Sequence, residues 1–295
     1  MDEAPVDAPA RAWVQEVTGS PVTRVRRLRG GVSSLVHRVD TAAGPFVLRR
    51  VPWRASSGDG ASGDIRREAT ALGLLAGQPW VPRLVAGDPD GSACGMPASV
   101  QTLLPGRPDT GPRDLRGWID GLAEAVRLVA TTGAASTGLA PFGVWFAADS
   151  DPPGWASDTG AWRAALELFR EAPAAEETAA LCHRDLHPGN VLFSRGRMAG
   201  MVDWVNACRG PAWVDLSRCR VEVAFLAGFD AADALAERCS AAVGGYDRRA
   251  DAFTVLELAT GMDGLLALNH FGSRLELHAV RATLDRLLVE AMTSA

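Results

Sequence analysis

The chain has 295 residues, of which 47% are hydrophobic and 22% charged, as in an ordinary globular protein with one large or two modest domains. The formal net charge of −5 provides no basic surface of the kind that nucleic-acid binding requires, which argues against a nucleic-acid partner. All 30 basic residues are Arg, so any cationic contact to an anionic ligand must come from a guanidinium group.

Cysteine spacing and hydropathy indicate a cytoplasmic protein. The five Cys are odd in number, widely spaced and free of C-x-x-C pairs, which predicts neither a disulfide framework nor a zinc site. The N-terminal residues lack the apolar segment of a secretory signal. The longest uncharged run, 128–148, is interrupted by Gly and Pro, so we predict no membrane span and no membrane partner.

The first hundred residues alternate between β-like runs and turn clusters. The runs VTRVRRL (22–28), LVHRVDT (35–41) and FVLRRV (46–51) predict an antiparallel meander of three strands. A Gly/Ser-rich stretch (56–64) precedes IRREATALGLLAG (65–77), whose apolar spacing predicts a helix that ends near Gly77. Two further strands are predicted within 81–88 and 97–104.

From Leu115 onward the sequence is typical of amphipathic helices. Long segments rich in Ala, Leu, Arg and Glu lie at 115–130, at 162–172 and over most of 222–295. We therefore predict an α+β protein with a domain boundary near Pro105, giving a small antiparallel β-sheet lobe at 1–104 and a larger, mainly helical lobe at 105–295.

One segment of the helical half, LCHRDLHPGNVLFSRGRMAGMVDW (181–204), is not helical in character. His183, Arg184 and Asp185 are followed after four residues by Asn190, which matches the H-R-D-x-x-x-x-N catalytic loop of phosphoryl-transfer enzymes. Asp185 suits a group that orients an acceptor hydroxyl and receives its proton. His183 suits a structural support of the loop.

The residues after this loop predict a metal half-site. VLF and MAGMV are predicted to pair as a hairpin around Gly196, which would bring Asn190 beside Asp203. An amide oxygen and a carboxylate are ligands that Mg²⁺ accepts, with phosphates and water completing its shell. The alternative is a surface hairpin in which Asp, Asn and Gly only form turns.

HRDLHPGN, VDW and PAWVDLSRCR resemble segments of the aminoglycoside phosphotransferase and choline kinase-like family, within the protein kinase-like superfamily. The resemblance covers nearly the full chain. It implies a kinase-like two-lobe fold with nucleotide bound by residues 1–104 and acceptor by residues 105–295. It also implies Mg²⁺-dependent transfer of the γ-phosphate of ATP or GTP to a hydroxyl of a small molecule, such as a cationic antibiotic or a metabolite.

The resemblance also implies roles for residues of the first lobe. Arg49 occupies the third-strand position where the family has a phosphate-gripping Lys, and Glu68 matches the acidic partner of that cation. Arg50 should point to the opposite face of the strand. An ordinary surface ion pair between Arg49 and Glu68 is the alternative interpretation.

Three further features are assigned by position along the chain. Ser33 and Ser34 fall in the turn where a phosphate-covering loop belongs, although the full G-x-G-x-x-G is absent. Gln101 and Leu103 fall in the interlobe linker that offers backbone groups to adenine. Asp215 matches a family residue that braces the catalytic loop.

The acceptor is predicted to be a small molecule, because only eleven residues separate Asp203 from Asp215 and leave no room for a protein-kinase activation segment. A set of acidic residues before the catalytic loop would suit a cationic acceptor, although a solvated face explains it equally well. This set comprises Asp149, Asp151, Asp158, Glu171, Glu176 and Glu177. Three tryptophans could line a pocket or belong to the core, namely Trp145, Trp155 and Trp162.

A second hypothesis is a kinase-like module that binds nucleotide or metabolite without transfer, favoured by Arg49 and by the incomplete Gly loop. Asp185, Asn190 and Asp203 favour the enzyme, because a chain that only binds has no need of a positioned base. The choice between ATP and GTP, the oligomeric state and the physiological role stay open.

Overall fold

A computed structural model describes residues 6–28, 34–53, 60–132, 138–146, 150–170, 180–260 and 276–293. The chain folds into two compact units. The first unit comprises residues 1–105 together with 199–207, and the second comprises residues 106–198 and 208–295. The first unit is therefore discontinuous in sequence, whereas the sequence predicts a single cut after residue 104.

The elements of the first unit are α1 (Ala8–Thr18), β1 (Val22–Arg27), β2 (Leu35–Thr41), β3 (Gly44–Arg50), α2 (Gly60–Leu74), β4 (Leu84–Asp88) and β5 (Ala98–Thr102). The five strands form one antiparallel sheet in the order β1-β2-β3-β5-β4. The predicted three-stranded meander, the helix after it and the two later strands are confirmed. Helix α1 is not predicted, although Asp7 caps it by accepting from the Ala10 N–H and Pro9 occupies its first turn.

The side chains on the two faces of β3 contact different helices, α1 on one face and α2 on the other. Leu48 packs with Trp13 and Val14 of α1 in the main core of this unit. Arg49, one residue later, points to the face on which Glu68 of α2 lies, as the alternation of side chains along a strand requires. Arg50 returns to the side of α1, where its Nη1 lies 3.4 Å from Asp7 Oδ2. The predicted opposite orientation of the two arginines is confirmed.

The second unit is mainly helical among the described residues. Its helices are α3 (Leu115–Thr131), α4 (Thr159–Leu168), α5 (Trp213–Ala227), α6 (Phe229–Cys239), α7 (Arg249–Thr260) and α8 (Leu277–Thr293). These ranges confirm the predicted helical character after residue 115. None of the helices within the described residues is long and apolar enough to cross a membrane.

Short strands frame the loop between β7 (Ala180–Cys182) and β8 (Val191–Ser194). Strand β7 pairs antiparallel with β10 (Cys208–Gly210), and a three-stranded sheet has the order β6 (Arg107–Pro108), β8, β9 (Arg197–Met201). Arg195 and Gly196 both have positive φ, 52° and 75°, as a tight two-residue hairpin turn requires. The predicted turn near Gly196 is confirmed, and the chain passes from the second unit to the first within β9.

Candidate active site

The loop from His183 to Asn190 is fixed by the first turn of α5. The Asp215 carboxylate accepts hydrogen bonds from the backbone N–H groups of His183 and Arg184, each at 2.8 Å. Burial raises the pKa of Asp215, while the charge of His183 and these two donors oppose the increase. Asp215 thus makes the bracing contact that the family resemblance implies, and His183 is fully buried within the loop.

Arg184 holds the loop to the helices of the second unit. Its backbone is left-handed, with a φ of 72°, which is uncommon for a residue with a side chain. Its guanidinium forms a bidentate pair with Glu257 of α7, donates to the Gly143 carbonyl at 2.8 Å and lies 3.9 Å from the ring centre of Trp145. These contacts offset the cost of the unusual backbone conformation. Trp145 is half-exposed and covers Arg184.

Asn190 closes the loop through its amide nitrogen. Nδ2 donates to the Asp185 carbonyl at 2.9 Å, and the Asn190 backbone N–H donates to the His187 carbonyl at 2.9 Å. Because the nitrogen of the amide is directed at the loop backbone, the side-chain oxygen is the atom available to an outside ligand. That oxygen is of the kind that a hard cation accepts.

The Asp185 carboxylate belongs to a cluster of four side chains. Asp185 Oδ1 lies 3.1 Å from Nη2 of Arg218, and the same nitrogen lies 2.8 Å from Oε1 of Glu222. His187 Nδ1 is 3.2 Å from Glu222 Oε2, and His187 Nε2 is 3.9 Å from Asp185 Oδ2. The sequence prediction missed Arg218, Glu222 and His187. For Arg218 and Glu222 the signal is their spacing after Asp215, three residues and then four, which places these three residues on one side of α5, whereas His187 lies in the loop itself.

Glu222 is a carboxyl group without solvent exposure. Burial raises its pKa to about 8, and the neighbouring Arg218 guanidinium opposes this increase, while the Asp185 charge adds to it. His187 Nδ1 also accepts a hydrogen bond from the Gly189 N–H at 3.1 Å, so a protonated Glu222 suits the short contact to that nitrogen better than an ionised one.

This proton on Glu222 should make stability depend on pH. The folded-state pKa of about 8 lies above the ordinary value of 4.5, so the folded protein binds more protons than the unfolded chain between these two pH values. We expect the free energy of unfolding to fall as the pH rises through this window. Glu222→Gln should reduce that fall by a few kcal/mol, measured by urea denaturation at about pH 5 and pH 8. Equal pH responses of Glu222→Gln and wild type would contradict the assignment, and Glu290→Gln on the exposed side of α8 is the matched control.

Arg49 of the first unit lies between two carboxylates. Its Nη1 is 2.8 Å from Asp203 Oδ1 and 3.5 Å from Glu68 Oε1, and its side chain is only 7% exposed. Burial favours a lower pKa for Arg49, but Asp203 and Glu68 together raise the pKa above its ordinary value, so the cation is retained. The structure therefore brings together Arg49 and Glu68 as predicted, and adds Asp203 as the closer partner.

Buried hydrogen bonds fix Glu68. Its Oε2 accepts from the Ser99 hydroxyl at 3.0 Å, and the Gln101 side-chain amide donates to the same hydroxyl at 3.0 Å. Burial raises the pKa of Glu68, and the Arg49 charge opposes it. Gln101 therefore supports Glu68 from within β5. It does not lie in the linker predicted from the sequence, because β5 extends to Thr102 and Leu103 is the first residue after it.

Asp203 stands at the start of a 3-10 turn (Trp204–Asn206) and has a left-handed backbone with a φ of 72°. Helix α2 holds this turn, because Arg67 Nη1 donates to the Val205 carbonyl at 2.7 Å and pairs with Asp64 at 3.1 Å. The Trp204 ring packs 6.1 Å from that of Trp80. These contacts fix Asp203 within the first unit, whereas Asn190 belongs to the second, so their predicted convergence on one metal stays a prediction.

The remaining predicted residues divide into those that the structure describes and those that it does not. Ser34 is described, and its buried hydroxyl makes no hydrogen bond with the described residues. Trp162 is fully buried and belongs to the core, and the partly buried Trp155 packs edge-to-face against it. Outside the described residues lie Ser33, Asp149, Glu171, Glu176 and Glu177.

Asp158, one of the predicted acidic residues, has a structural role as the cap of a helix. Its carboxylate caps α4 by accepting from the N–H groups of Gly160 and Ala161. A carboxylate that satisfies two backbone donors at a helix start serves the helix rather than a cationic acceptor. Asp151 is exposed. The described part of the set therefore provides no acidic pocket.

Comparisons with known proteins all match this chain to phosphotransferases or kinases. Residues 24–253 match the model of the phosphotransferase enzyme family, APH. A homoserine kinase of Gluconacetobacter diazotrophicus is 28% identical over 273 residues, covering 82% of this chain and 77% of the relative. A homoserine kinase of Methylorubrum populi is 27% identical over 226 residues, covering 72% and 68%.

Among solved structures, a thermostable mutant of the aminoglycoside phosphotransferase APH(4)-Ia, in a ternary complex with AMP-PNP and hygromycin B, superposes with a TM-score of 0.68. The two are 16% identical, and the match covers 98% of this chain and 100% of that one. At this identity the likeness concerns the fold, and it confirms the predicted kinase-like two-lobe α+β class.

Proposed function

Since the chain belongs to the phosphotransferase enzyme family, we propose that it uses ATP and Mg²⁺ to phosphorylate a hydroxyl group of a small metabolite, with Asp185 receiving the hydroxyl proton. The observation that carries the proposal is the braced loop around Asp185. Its backbone is held by Asp215, and its carboxylate is held at one oxygen by Arg218. A carboxylate fixed in this way suits the orientation of a reacting hydroxyl.

The donor atoms fit a magnesium ion. No cluster of three or more His, Cys, Asp or Glu side chains suited to a metal occurs within the described residues. Mg²⁺ in phosphoryl-transfer sites needs only one or two protein oxygens, because phosphates and water supply the others. We propose the Asp203 carboxylate and the Asn190 amide oxygen as these ligands. When bound, the ion would neutralise phosphate charge and orient the phosphoryl group.

The nucleotide is proposed to contact Arg49 and Ser34. Arg49 keeps its charge in a buried position and has the planar donor geometry that phosphate oxygens accept. The buried Ser34 hydroxyl, without a partner among the described residues, suits a phosphate oxygen as acceptor. Leu103, directly after β5, is the residue proposed to offer backbone groups to the base. ATP is proposed as donor because a protein of similar fold binds AMP-PNP.

The proposed reaction is an in-line transfer. The acceptor oxygen forms a bond to the γ-phosphorus, the bond between that phosphorus and the bridging oxygen of ADP breaks, and the hydroxyl proton moves to Asp185. The protein contributes mainly position and charge, because this chemistry needs little covalent participation from side chains.

The acceptor is proposed to be a hydroxylated metabolite, with homoserine as the first candidate. Both curated relatives reported above are homoserine kinases, and their matches extend over most of this chain. The cationic-antibiotic alternative, suggested by the similar fold of a hygromycin B-binding phosphotransferase, loses support from the acidic set because Asp158 caps a helix.

An acceptor panel tests this proposal. ADP formation is measured with homoserine, with hygromycin B and without acceptor, for wild type and for Asp185→Asn, and the rate without acceptor is subtracted as background ATP hydrolysis. We expect kcat/KM for homoserine to exceed that for hygromycin B by roughly tenfold or more. The reverse order would overturn the metabolite assignment, and turnover of both by Asp185→Asn at the wild-type rate would overturn the role of Asp185.

A further inference from the structure

Helix α5 contacts the catalytic loop at two separate points. Asp215, in its first turn, accepts from the backbone N–H groups of the loop. Arg218, three residues later, reaches the Asp185 side chain, with Nη2 at 3.1 Å from Oδ1. The backbone of the loop and its carboxylate are thus held by the same helix, which fixes the direction of that carboxylate relative to the loop.

Arg218 is itself held by a second carboxyl group, that of Glu222. The nitrogen that contacts Asp185 lies 2.8 Å from Oε1 of Glu222, one helical turn further along α5. The Glu222 side chain has no solvent exposure, whereas the Asp185 side chain is 23% exposed. The cluster therefore runs from a buried carboxyl through a guanidinium to a carboxylate that is accessible from outside.

His187 completes the cluster from the loop side. Its Nδ1 accepts from the Gly189 N–H and lies 3.2 Å from Glu222, which leaves the ring proton on Nε2, 3.9 Å from Asp185 Oδ2. That distance exceeds a hydrogen bond, so Arg218 makes the closer of these two contacts to the Asp185 carboxylate.

A buried ion pair is weak evidence of stabilisation, because desolvation offsets most of the attraction. Helix α5 contains a second arginine, Arg220, two residues after Arg218, and the two can be compared. Arg220 is also buried and pairs with Asp251 and Asp233, away from the loop. Only Arg218 of these two touches a proposed reacting group, so a role in orientation accounts for its position better than stability does.

We propose that Arg218, held by Glu222, is a positioning residue that fixes the Asp185 carboxylate for the acceptor hydroxyl. This inference rests on the proposed function, in which Asp185 receives the proton. Without Arg218, the carboxylate would rotate away from the orientation that the helix imposes. A misplacement of about 1 Å at a reacting group costs roughly 10²-fold in rate.

The test compares Arg218→Met with Arg220→Met, two substitutions of the same chemistry on the same helix. Arg218→Met should lower kcat by roughly 10²-fold and leave the ATP dissociation constant within about twofold. Arg220→Met should lower the melting temperature because it leaves Asp251 buried without its partner, while kcat of the folded protein stays within about twofold. Equal effects of the two substitutions on kcat would overturn the inference.

Two further measurements show whether Arg218 acts by orienting the Asp185 carboxylate or only by stabilising the folded protein. Free guanidinium added to Arg218→Ala should restore part of kcat, and it should not change kcat of wild type. Should Arg218→Met fail to fold, Arg218→Lys retains the charge without the bridging geometry, and we expect kcat to fall by roughly tenfold. Wild-type kcat in Arg218→Lys, or no rescue by guanidinium, would contradict the positioning role.

Failure of the proposed function can be distinguished from failure of the positioning role of Arg218. Suppose that wild type transfers phosphate and Asp185→Asn does not. If Arg218→Met then transfers phosphate at the wild-type rate, only the positioning role of Arg218 is contradicted. If wild type transfers no phosphate to any acceptor in the panel, the proposed function itself fails.

Discussion

Asp185→Asn is expected to lower kcat by roughly 10²–10⁴-fold, because the amide keeps the size of the carboxylate but cannot receive the hydroxyl proton. Its oxygen can still accept from Arg218, whose Nη2 lies 3.1 Å from Oδ1 in the wild-type chain. The loop should therefore keep its position. Steady-state ADP formation measures kcat, and calorimetry should show an ATP dissociation constant within about twofold of wild type.

An exposed residue of the same unit provides the control. Asp120 of α3 pairs with Arg238 at the surface, and Asp120→Asn removes the same charge far from the loop in sequence. We expect kcat of Asp120→Asn to stay near that of wild type, since exposed pairs contribute little to stability. A kcat for Asp185→Asn equal to that of Asp120→Asn would remove Asp185 from the mechanism.

Arg49→Met is expected to weaken ATP binding by about 10-fold to 100-fold. Hydrogen bonds to charged groups contribute about 1.5–3 kcal/mol, and the proposed contact of Arg49 is with the phosphates. Calorimetric titration of ATP measures the loss. Because Arg49 also lies between Asp203 and Glu68, thermal unfolding of each variant must accompany the titration so that the affinity refers to folded protein.

Arg50→Met is the matched control, since the two arginines are neighbours on β3 and face opposite sides. Arg50 lies near the N-terminal cap of α1, with Nη1 3.4 Å from Asp7 Oδ2. Its removal should lower stability and leave ATP affinity unchanged. If Arg50→Met weakens ATP binding and Arg49→Met does not, the nucleotide contacts the other face of the strand.

Local patterns predicted much of the first unit. Alternating β-like runs located the meander, and their register correctly separated Arg49 from Arg50. Helix α1 was missed because its acidic, Pro-containing start is similar to that of an unstructured terminus, although Asp7 and Pro9 are good helix-start residues. The inclusion of residues 199–207 in the first unit depends on packing between segments distant in sequence, which composition does not report.

The loop from His183 to Asn190 was located from the sequence because its motif residues are close together along the chain. Arg218 and Glu222 were missed because only the fold brings them to Asp185, and the sequence of α5 does not show on which side of the helix its few charged residues are buried. Gln101 was misplaced by two residues because the end of a strand is less well defined by sequence than its centre. The sequence does not distinguish Asp158 from the other acidic residues of its set, because its capping role consists of hydrogen bonds to backbone N–H groups that form only in the fold.

Phosphate transfer from ATP to a small-molecule hydroxyl can be followed directly by ³¹P nuclear magnetic resonance. ATP, Mg²⁺ and homoserine are incubated with wild type and with Asp185→Asn, and the spectrum is recorded with time. We expect the γ-phosphate signal to decline while a phosphomonoester signal grows, in wild type only and only with acceptor and Mg²⁺ present. ATP that binds but yields no phosphomonoester with homoserine or any other hydroxylated acceptor in the panel would contradict the proposed transfer reaction and favour a module that binds nucleotide without transfer.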